Sequence, residues 1–375
     1  MVWSQEKSIF LDTGEFIERI AMNRDRTHVV TGSRSGLKVI SVDSNKIELK
    51  YDLRKVRRGG MHPYLDLAWN QLKGYPDQQF RAHKQAATAI AFSEFNEYLL
   101  VSGSKEGAIF LYDVRQREPS LSFSSYGKDT IRDIQFSTES KAQDLFVTAD
   151  DSGTVRFWDI RRPDRMLKEF IAHTGFVSNV SLNPHLPSQY LVATAGRDRY
   201  VWDWSKPSPE RVYTVEMIAG VSRVAWCPDN PWHLASCFVN DRNIYVWDVR
   251  RPHLPYAMYS PHTDGVSDMC WPRYNGSVCD RFVSSSKDGR VALSFTSHAS
   301  RPLNHANTVA LTCASTFDGV IVTIPERKRS SSCGSAADAL DLFRRSVPST
   351  IFCVLPYEID TNISRAHTIS FLAKQ

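Results

Sequence analysis

His173, Thr194 and Asp198 are the residues of this sequence best suited to chemistry, because a hydroxyl, an imidazole and a carboxylate are the parts of a nucleophilic triad. Trp202 follows them closely and would occupy the space an attacked carbonyl needs, which favours a structural use of the set. Other catalytic signatures are missing. There is no Gly-x-x-x-x-Gly-Lys-Ser/Thr loop, no Gly-x-Gly-x-x-Gly, no His-Glu-x-x-His and no Gly-x-Ser-x-Gly. His298 and His305 come nearest to a metal pair, but no cysteine or carboxylate stands at ligand spacing, so they read as loop residues. The cysteines Cys227, Cys237, Cys270, Cys279, Cys313, Cys333 and Cys353 are odd in number and form no Cys-x-x-Cys; they read as reduced, mostly buried thiols of an intracellular protein. The expectation is a protein with no enzymatic activity, no metal and no cofactor.

Charge and hydropathy narrow the partners. Lys and Arg number 46 against 41 Asp and Glu, a formal surplus of +5. The basic residues are scattered, with small clusters at Arg54–Arg58, Arg161–Arg165 and Arg327–Arg329, so nucleic-acid binding is not expected. The first ten residues include Glu6 and Lys7 and lack an apolar core, unlike a signal peptide. No window approaches the roughly 20 apolar residues of a membrane span. Apolar content of 42% is ample for a core.

The elements that must position these residues repeat. Tyr112-Asp113, Trp158-Asp159, Trp202-Asp203 and Trp247-Asp248 each end a short apolar run, and the aspartates recur at intervals of 46, 44 and 45. A period of roughly 40–45 residues ending in Trp-Asp marks the four-stranded blade of a WD-repeat β-propeller. Between the marks, short alternating runs such as Ile131–Phe136 and Thr154–Trp158 are separated by turns such as Asp151-Ser152-Gly153, which describes a meander. The fold class expected is therefore all-β: a seven-unit WD-repeat β-propeller with an incomplete second blade, over residues 1–325.

The units fall at about 15–55, 62–82, 83–124, 130–171, 173–216, 218–260 and 262–305. The second is abnormal. It begins with Leu65–Trp69 as an inner strand, but only 21 residues separate His62 from His83, too few for a blade. The seventh has Ser294-Phe295 where Trp-Asp would fall. In WD-repeat proteins a set such as His173, Thr194, Asp198 and Trp202 makes a buried chain from indole to hydroxyl to imidazole to carboxylate. That chain avoids about 1–3 kcal/mol of desolvation for each group otherwise orphaned. The third unit keeps His83 and Ser102 with Glu106, and the seventh His262 and Asp288, so those blades are expected to be weaker.

One element recurs beyond the period. Trp158-Asp159-Ile160-Arg161-Arg162-Pro163 and Trp247-Asp248-Val249-Arg250-Arg251-Pro252 are nearly identical. Two uses are open. Arg161 and Arg250 pair with carboxylates at a blade edge, or Arg161, Arg162, Arg250 and Arg251 line up as a partner surface, arginine being favoured at interfaces. After Pro325 the composition changes. Residues 326–375 are expected to form a partly disordered tail: a charged linker, a short helix capped by Ser335 and ending near Arg345, and strands at Ser349–Leu355 and Thr368–Leu372. Basic residues before Ser330, Ser331 and Ser332 could make a phosphorylation site.

Residues 83–296 resemble the propeller of the WD-repeat twenty-four family, subunits of the GATOR-two complex. The resemblance rests on Val155–Arg165, Ala195–Asp198, Asn243–Pro252 and Ser285–Asp288. It implies a non-catalytic interaction scaffold that positively regulates target-of-rapamycin complex one in response to amino acids. It also implies a cytoplasmic protein held peripherally at the lysosomal membrane through its complex. Its partners would be further propeller proteins of the Sec-thirteen and Seh-one types. The alternative is a substrate receptor of a cullin-four ubiquitin ligase, since many such receptors carry Trp-Asp-x-Arg, here at Trp158–Arg161 and Trp247–Arg250.

Overall fold

The structure is a computed structural model that describes residues 8–23, 25, 27–43, 46–53, 65–70, 80–123, 128–138, 142–185, 190–197, 199–215, 220–252, 255–271, 281–295, 308–312 and 319–323. Within a compact unit spanning Ser4–Ser300 stand six four-stranded antiparallel sheets, the blades of a β-propeller. Blade 1 is β2 (Ile17–Met22), β3 (His28–Ser33), β4 (Gly36–Val42) and β5 (Ile47–Asp52). Blade 2 is β6 (Ala87–Phe92), β7 (Leu99–Ser104), β8 (Ile109–Asp113) and β9 (Pro119–Phe123). Blade 3 is β10 (Ile131–Phe136), β11 (Leu145–Asp150), β12 (Thr154–Asp159) and β13 (Lys168–Ile171). Blade 4 is β14 (Asn179–Leu182), β15 (Leu191–Ala195), β16 (Arg199–Asp203) and β17 (Glu210–Val215). Blade 5 is β18 (Val221–Trp226), β19 (His233–Phe238), β20 (Ile244–Asp248) and β21 (Pro255–Tyr259). Blade 6 takes β22 (Val266–Cys270), β23 (Arg281–Ser286) and β24 (Arg290–Phe295) from one end of the unit and its outermost strand, β1 (Ile9–Asp12), from the other. A second unit, Met1–Trp3 with Arg301–Gln375, contains the antiparallel pair β25 (Thr308–Thr312) and β26 (Gly319–Thr323).

The blade count corrects the sequence reading: there are six blades, not seven. The first unit, without Trp-Asp, is a complete blade, and the seventh is completed by β1. Among the described residues the second unit contributes no strand. Leu65–Trp69 pairs with no strand among the described residues. The expected linker, helix Ser335–Arg345, strands Ser349–Leu355 and Thr368–Leu372, and Ser330–Ser332 lie outside the described residues.

Where a blade is covered on both faces, its middle strands present apolar side chains to both neighbours. In blade 3, Phe146 and Trp158 pack toward blade 2, and Val147 and Phe157 toward blade 4; all four are fully buried. Burial of one such side chain stabilises by about 1.5–3 kcal/mol. The tight turn between β11 and β12 needs glycine: Gly153 has φ +88°, and a Cβ there would lie 2.0 Å from the His173 carbonyl oxygen. Five apolar clusters fill five seams, between blades 2 and 3, 3 and 4, 4 and 5, 5 and 6, and 6 and 1. Among the described residues no such cluster joins blades 1 and 2.

Candidate functional site

The innermost strands surround a central channel, and its lining was missed by the motif search. Near the start of β2, β10, β18 and β22 a register shift turns one side chain inward: Arg19, Asp133, Arg223 and Asp268. Asp66, on the unpaired segment, joins them. Arg223 is the hub, 3.4 Å from Asp268, 3.8 Å from Asp133 and 4.0 Å from Asp66. Asp66, Asp133, Arg223 and Asp268 border a cavity of about 270 Å³. Burial pushes the Asp133 carboxyl up to about 6, against the pull of Arg223. Burial also raises Asp66. Burial draws the Arg223 guanidinium down, yet Asp268, Asp133 and Asp66 together hold it above its ordinary value. Arg19, facing that cation and itself buried, falls below its own.

Side-chain oxygens at the channel also bolt neighbouring blades together. Asp133 accepts the Val180 N–H at 2.8 Å, Asn179 that of Val224 at 2.8 Å and Asp268 that of Ile20 at 3.1 Å. Asp66 accepts the Ile90 N–H at 2.8 Å, and Arg19 donates to the Leu65 carbonyl at 2.9 Å. The segment Leu65–Asn70 therefore stands between blades 1 and 2 where an inner strand would stand. Its ties are polar.

The structure places His173 Nε2 at 3.0 Å from Thr194 Oγ1, and Trp202 Nε1 donates to that oxygen at 3.1 Å. Asp198 lies outside the described residues. The hydroxyl is fully buried, so no substrate carbonyl reaches it. A Cβ on Gly196 would lie 2.9 Å from His173 Nδ1, so the imidazole seats only against glycine. Other blades hold variants. In blade 6, His262 bonds Ser284 at 2.9 Å and Asp288 at 3.3 Å. In blade 2, His83 bonds Ser102 at 2.5 Å, but Glu106 stops 4.0 Å away and leaves Nδ1 buried without a partner. Burial lowers the pKa of both His83 and His262. Trp158 and Trp247 reach Thr148 and Ser236 at 3.0 and 3.1 Å.

Asp159 and Asp248 close on the arginines two residues ahead. Asp159 accepts from Arg161 N at 2.9 Å and Nε at 3.1 Å, and Asp248 from Arg250 N at 3.0 Å and Nη2 at 2.8 Å. Arg115 makes the same fork with Asp113 at 2.8 Å and lies over the Tyr98 ring; Arg250 lies over Trp232. Despite their burial, Asp159 and Asp248 are held below the usual carboxylate range by these bonds. Arg161, Arg162, Arg250 and Arg251 are all exposed at this rim. Among the described residues no group of three or more His, Cys, Asp or Glu is arranged to hold a metal ion, and no helix is long and apolar enough to cross a membrane.

Two family descriptions match the chain: nucleolar protein 10-like, N-terminal domain, over residues 4–202, and WD domain, G-beta repeat, over residues 211–248. The zebrafish (Danio rerio) GATOR2 complex protein WDR24 is 31% identical over 356 residues, which cover 88% of this chain and 44% of that protein. The human protein of the same name is 32% identical, over 77% of this chain and 39% of its own length. The chicken (Gallus gallus) protein is 35% identical, over 68% and 36%. The chain thus spans less than half the length of these relatives.

Proposed function

Since this chain belongs to the β-propeller family described as nucleolar protein 10-like, N-terminal domain, and is similar to GATOR2 complex proteins WDR24, we propose that it is a non-catalytic scaffold subunit of a GATOR2-type complex. The observation that carries this reading is the extent of the similarity, 31% identity along 88% of the chain. Its role is to position other subunits, with further propellers of the Sec-thirteen and Seh-one types as partners. The complex promotes target-of-rapamycin complex one signalling when amino acids are present, and it brings this chain to the lysosomal surface from the cytoplasm. The exposed rim of Arg161, Arg162, Arg250 and Arg251 is the proposed partner contact, because its side chains combine charge with a fixed orientation. The cullin-four reading draws on the same arginines, but their forks are already closed on Asp159 and Asp248.

Affinity purification of the chain from cells, with mass spectrometry of what accompanies it, tests the proposal. Recovery of GATOR2-type subunits supports it. Recovery of a cullin adaptor without them overturns it in favour of the ligase reading, and recovery of neither overturns complex membership for this chain.

A further inference from the structure

The rim arginines stand where the third strand of a blade leads into the fourth, and the turns between second and third strands crowd the opposite end. There the N–H that follows the second strand bonds the carbonyl just ahead of the first: Lys105 to Ala86, Asp151 to Thr130, Val239 to Gly220 and Lys287 to Gly265. Arg34 holds this place in blade 1, because Ser33 faces Ile17 as Ser104 faces Ala87. Arg197 holds it in blade 4, because the Gly196 carbonyl takes the Val221 N–H as that of Asp150 takes the Val177 N–H. This collar thus carries one residue per blade, and four of the six, Arg34, Lys105, Arg197 and Lys287, are exposed cations. The nearby carboxylates are engaged beneath them. Glu18 is 10% exposed under an Arg34 that is 71% exposed, and Asp288 is 6% exposed against His262. Asp151 pairs with Arg132, and Glu106, Asp241 and Asp264 accept backbone N–H groups. Apolar groups stand between the cations. Phe16 and Phe176 hold one place ahead of the first strand in blades 1 and 4 and are 40% and 50% exposed. The other blades have Ala86, Thr130, Gly220 and Gly265 there.

We propose that this collar binds an acidic segment of another polypeptide, whose carboxylates pair with Arg34, Lys105, Arg197 and Lys287 and whose apolar side chains pack on Phe16 and Phe176. The site lies at the other end of the strands from the rim contact proposed above, so either can fail without the other. Charge complementarity identifies the partner. Arg34 and Arg197 present planar forks that match a carboxylate. The cations are spaced one to a blade over engaged carboxylates, which suits a chain of separate single charges. A nucleic-acid backbone or a lipid surface calls for a denser, continuous positive field. The two exposed rings add apolar area that a purely charged partner leaves unused. Exposed ion pairs contribute little one at a time, so four of them with two rings point to modest affinity and to association that salt weakens.

The test uses the intact chain and a fluorescein-labelled peptide of about twelve residues, all Glu and Asp except for two Phe, followed by fluorescence anisotropy. Saturable binding with a Kd on the order of 50 μM is expected at roughly 0.05 M salt, weakening about tenfold by roughly 0.3 M. Arg34→Gln/Arg197→Gln should weaken it about tenfold and leave the thermal midpoint unmoved, since both side chains are exposed. Arg117→Gln/Arg165→Gln removes the same charge from exposed positions at the other end of the strands and should change the Kd by less than about twofold. Replacing both Phe of the peptide by Ser should weaken binding about fivefold. Four results would overturn the proposal. The first is no saturable binding. The second is an equal loss from the two double variants, which would make the attraction one of net charge alone. The third is indifference to the loss of the peptide's Phe. The fourth is binding of oligouridylate or phosphatidylserine vesicles as tightly as the peptide, with the same dependence on Arg34 and Arg197, which would make the collar a phosphate-binding surface.

Discussion

Blades 3 and 4 meet across an apolar cluster as well as the hydrogen bonds of Asp133, whereas among the described residues blades 1 and 2 share no apolar cluster. In the first, Val147 and Phe157 are fully buried against Val180 and Leu182. In the second, Val30 and Val39 of blade 1 are only half-buried, and the described ties include hydrogen bonds and ion pairs through Leu65, Asp66, Arg19 and Arg223 beside the packing of Phe80 on Tyr112. The two seams are built on the same register, so the difference lies in what stands opposite. A closed repeat ring is only as cohesive as its nearest-neighbour contacts, and here one contact is of a different kind. Local opening should begin there.

Matched truncations in the two seams give the largest contrast. Phe157→Ala should cost about 3–5 kcal/mol, and Val39→Ala, at the same position of blade 1, about 1 kcal/mol or less. Urea unfolding of both variants measures this, and similar losses would mean that the seam between blades 1 and 2 is as well packed as its neighbours. The next effect belongs to the channel. With the folded-state carboxyl of Asp133 at about 6 and an unfolded value near 3.9, the folded chain binds the proton more readily. Stability should therefore fall by up to about 3 kcal/mol as pH rises from about 4 through 6. Asp133→Asn should flatten that slope, which urea midpoints across the range would show; an unchanged slope would remove Asp133 from the account.

A smaller effect separates the two histidine sets. His173→Ala breaks a bond to a fully buried threonine and should cost about 2 kcal/mol, and His83→Ala, whose Nδ1 already lacks a partner, about 1 kcal/mol. Equal shifts in thermal midpoint would contradict the ranking. The smallest change is expected at the rim. The Arg161→Ala/Arg250→Ala double variant should leave the thermal midpoint unmoved, since both side chains are solvent-exposed. It should also reduce recovery of partner subunits; undiminished recovery would shift the contact surface elsewhere.

Much of this architecture was legible in the sequence, for identifiable reasons. Trp158, Trp202 and Trp247 recur because an indole must reach a hydroxyl one strand away, so the period survives as a motif. The blade count did not survive as well. Leu65–Trp69 looks like the first strand of a blade because it takes an inner-strand place, and only pairing reveals that no described strand joins it. The closing strand Ile9–Asp12 was invisible because four residues carry too little periodicity to read. The channel charges escaped because Arg19, Asp133, Arg223 and Asp268 share a place in the register but not a residue type. Aligning the repeats on position alone would have found them.

The joining of β1 to β24 carries a consequence for how the molecule is made. Ile9 faces Leu293 and Asp12 faces Arg290, so the first strand finds its partner only after nearly the whole ring has been synthesised. At ordinary rates of translation, about 5–20 residues per second, that delay is on the order of half a minute. Through that interval five blades can emerge and stack in order on the ribosome, while Ile9–Asp12 waits as an unpaired edge that chaperones must shield. The ring closes when β24 captures β1, and a newborn chain stalled before Phe295 remains an open arc.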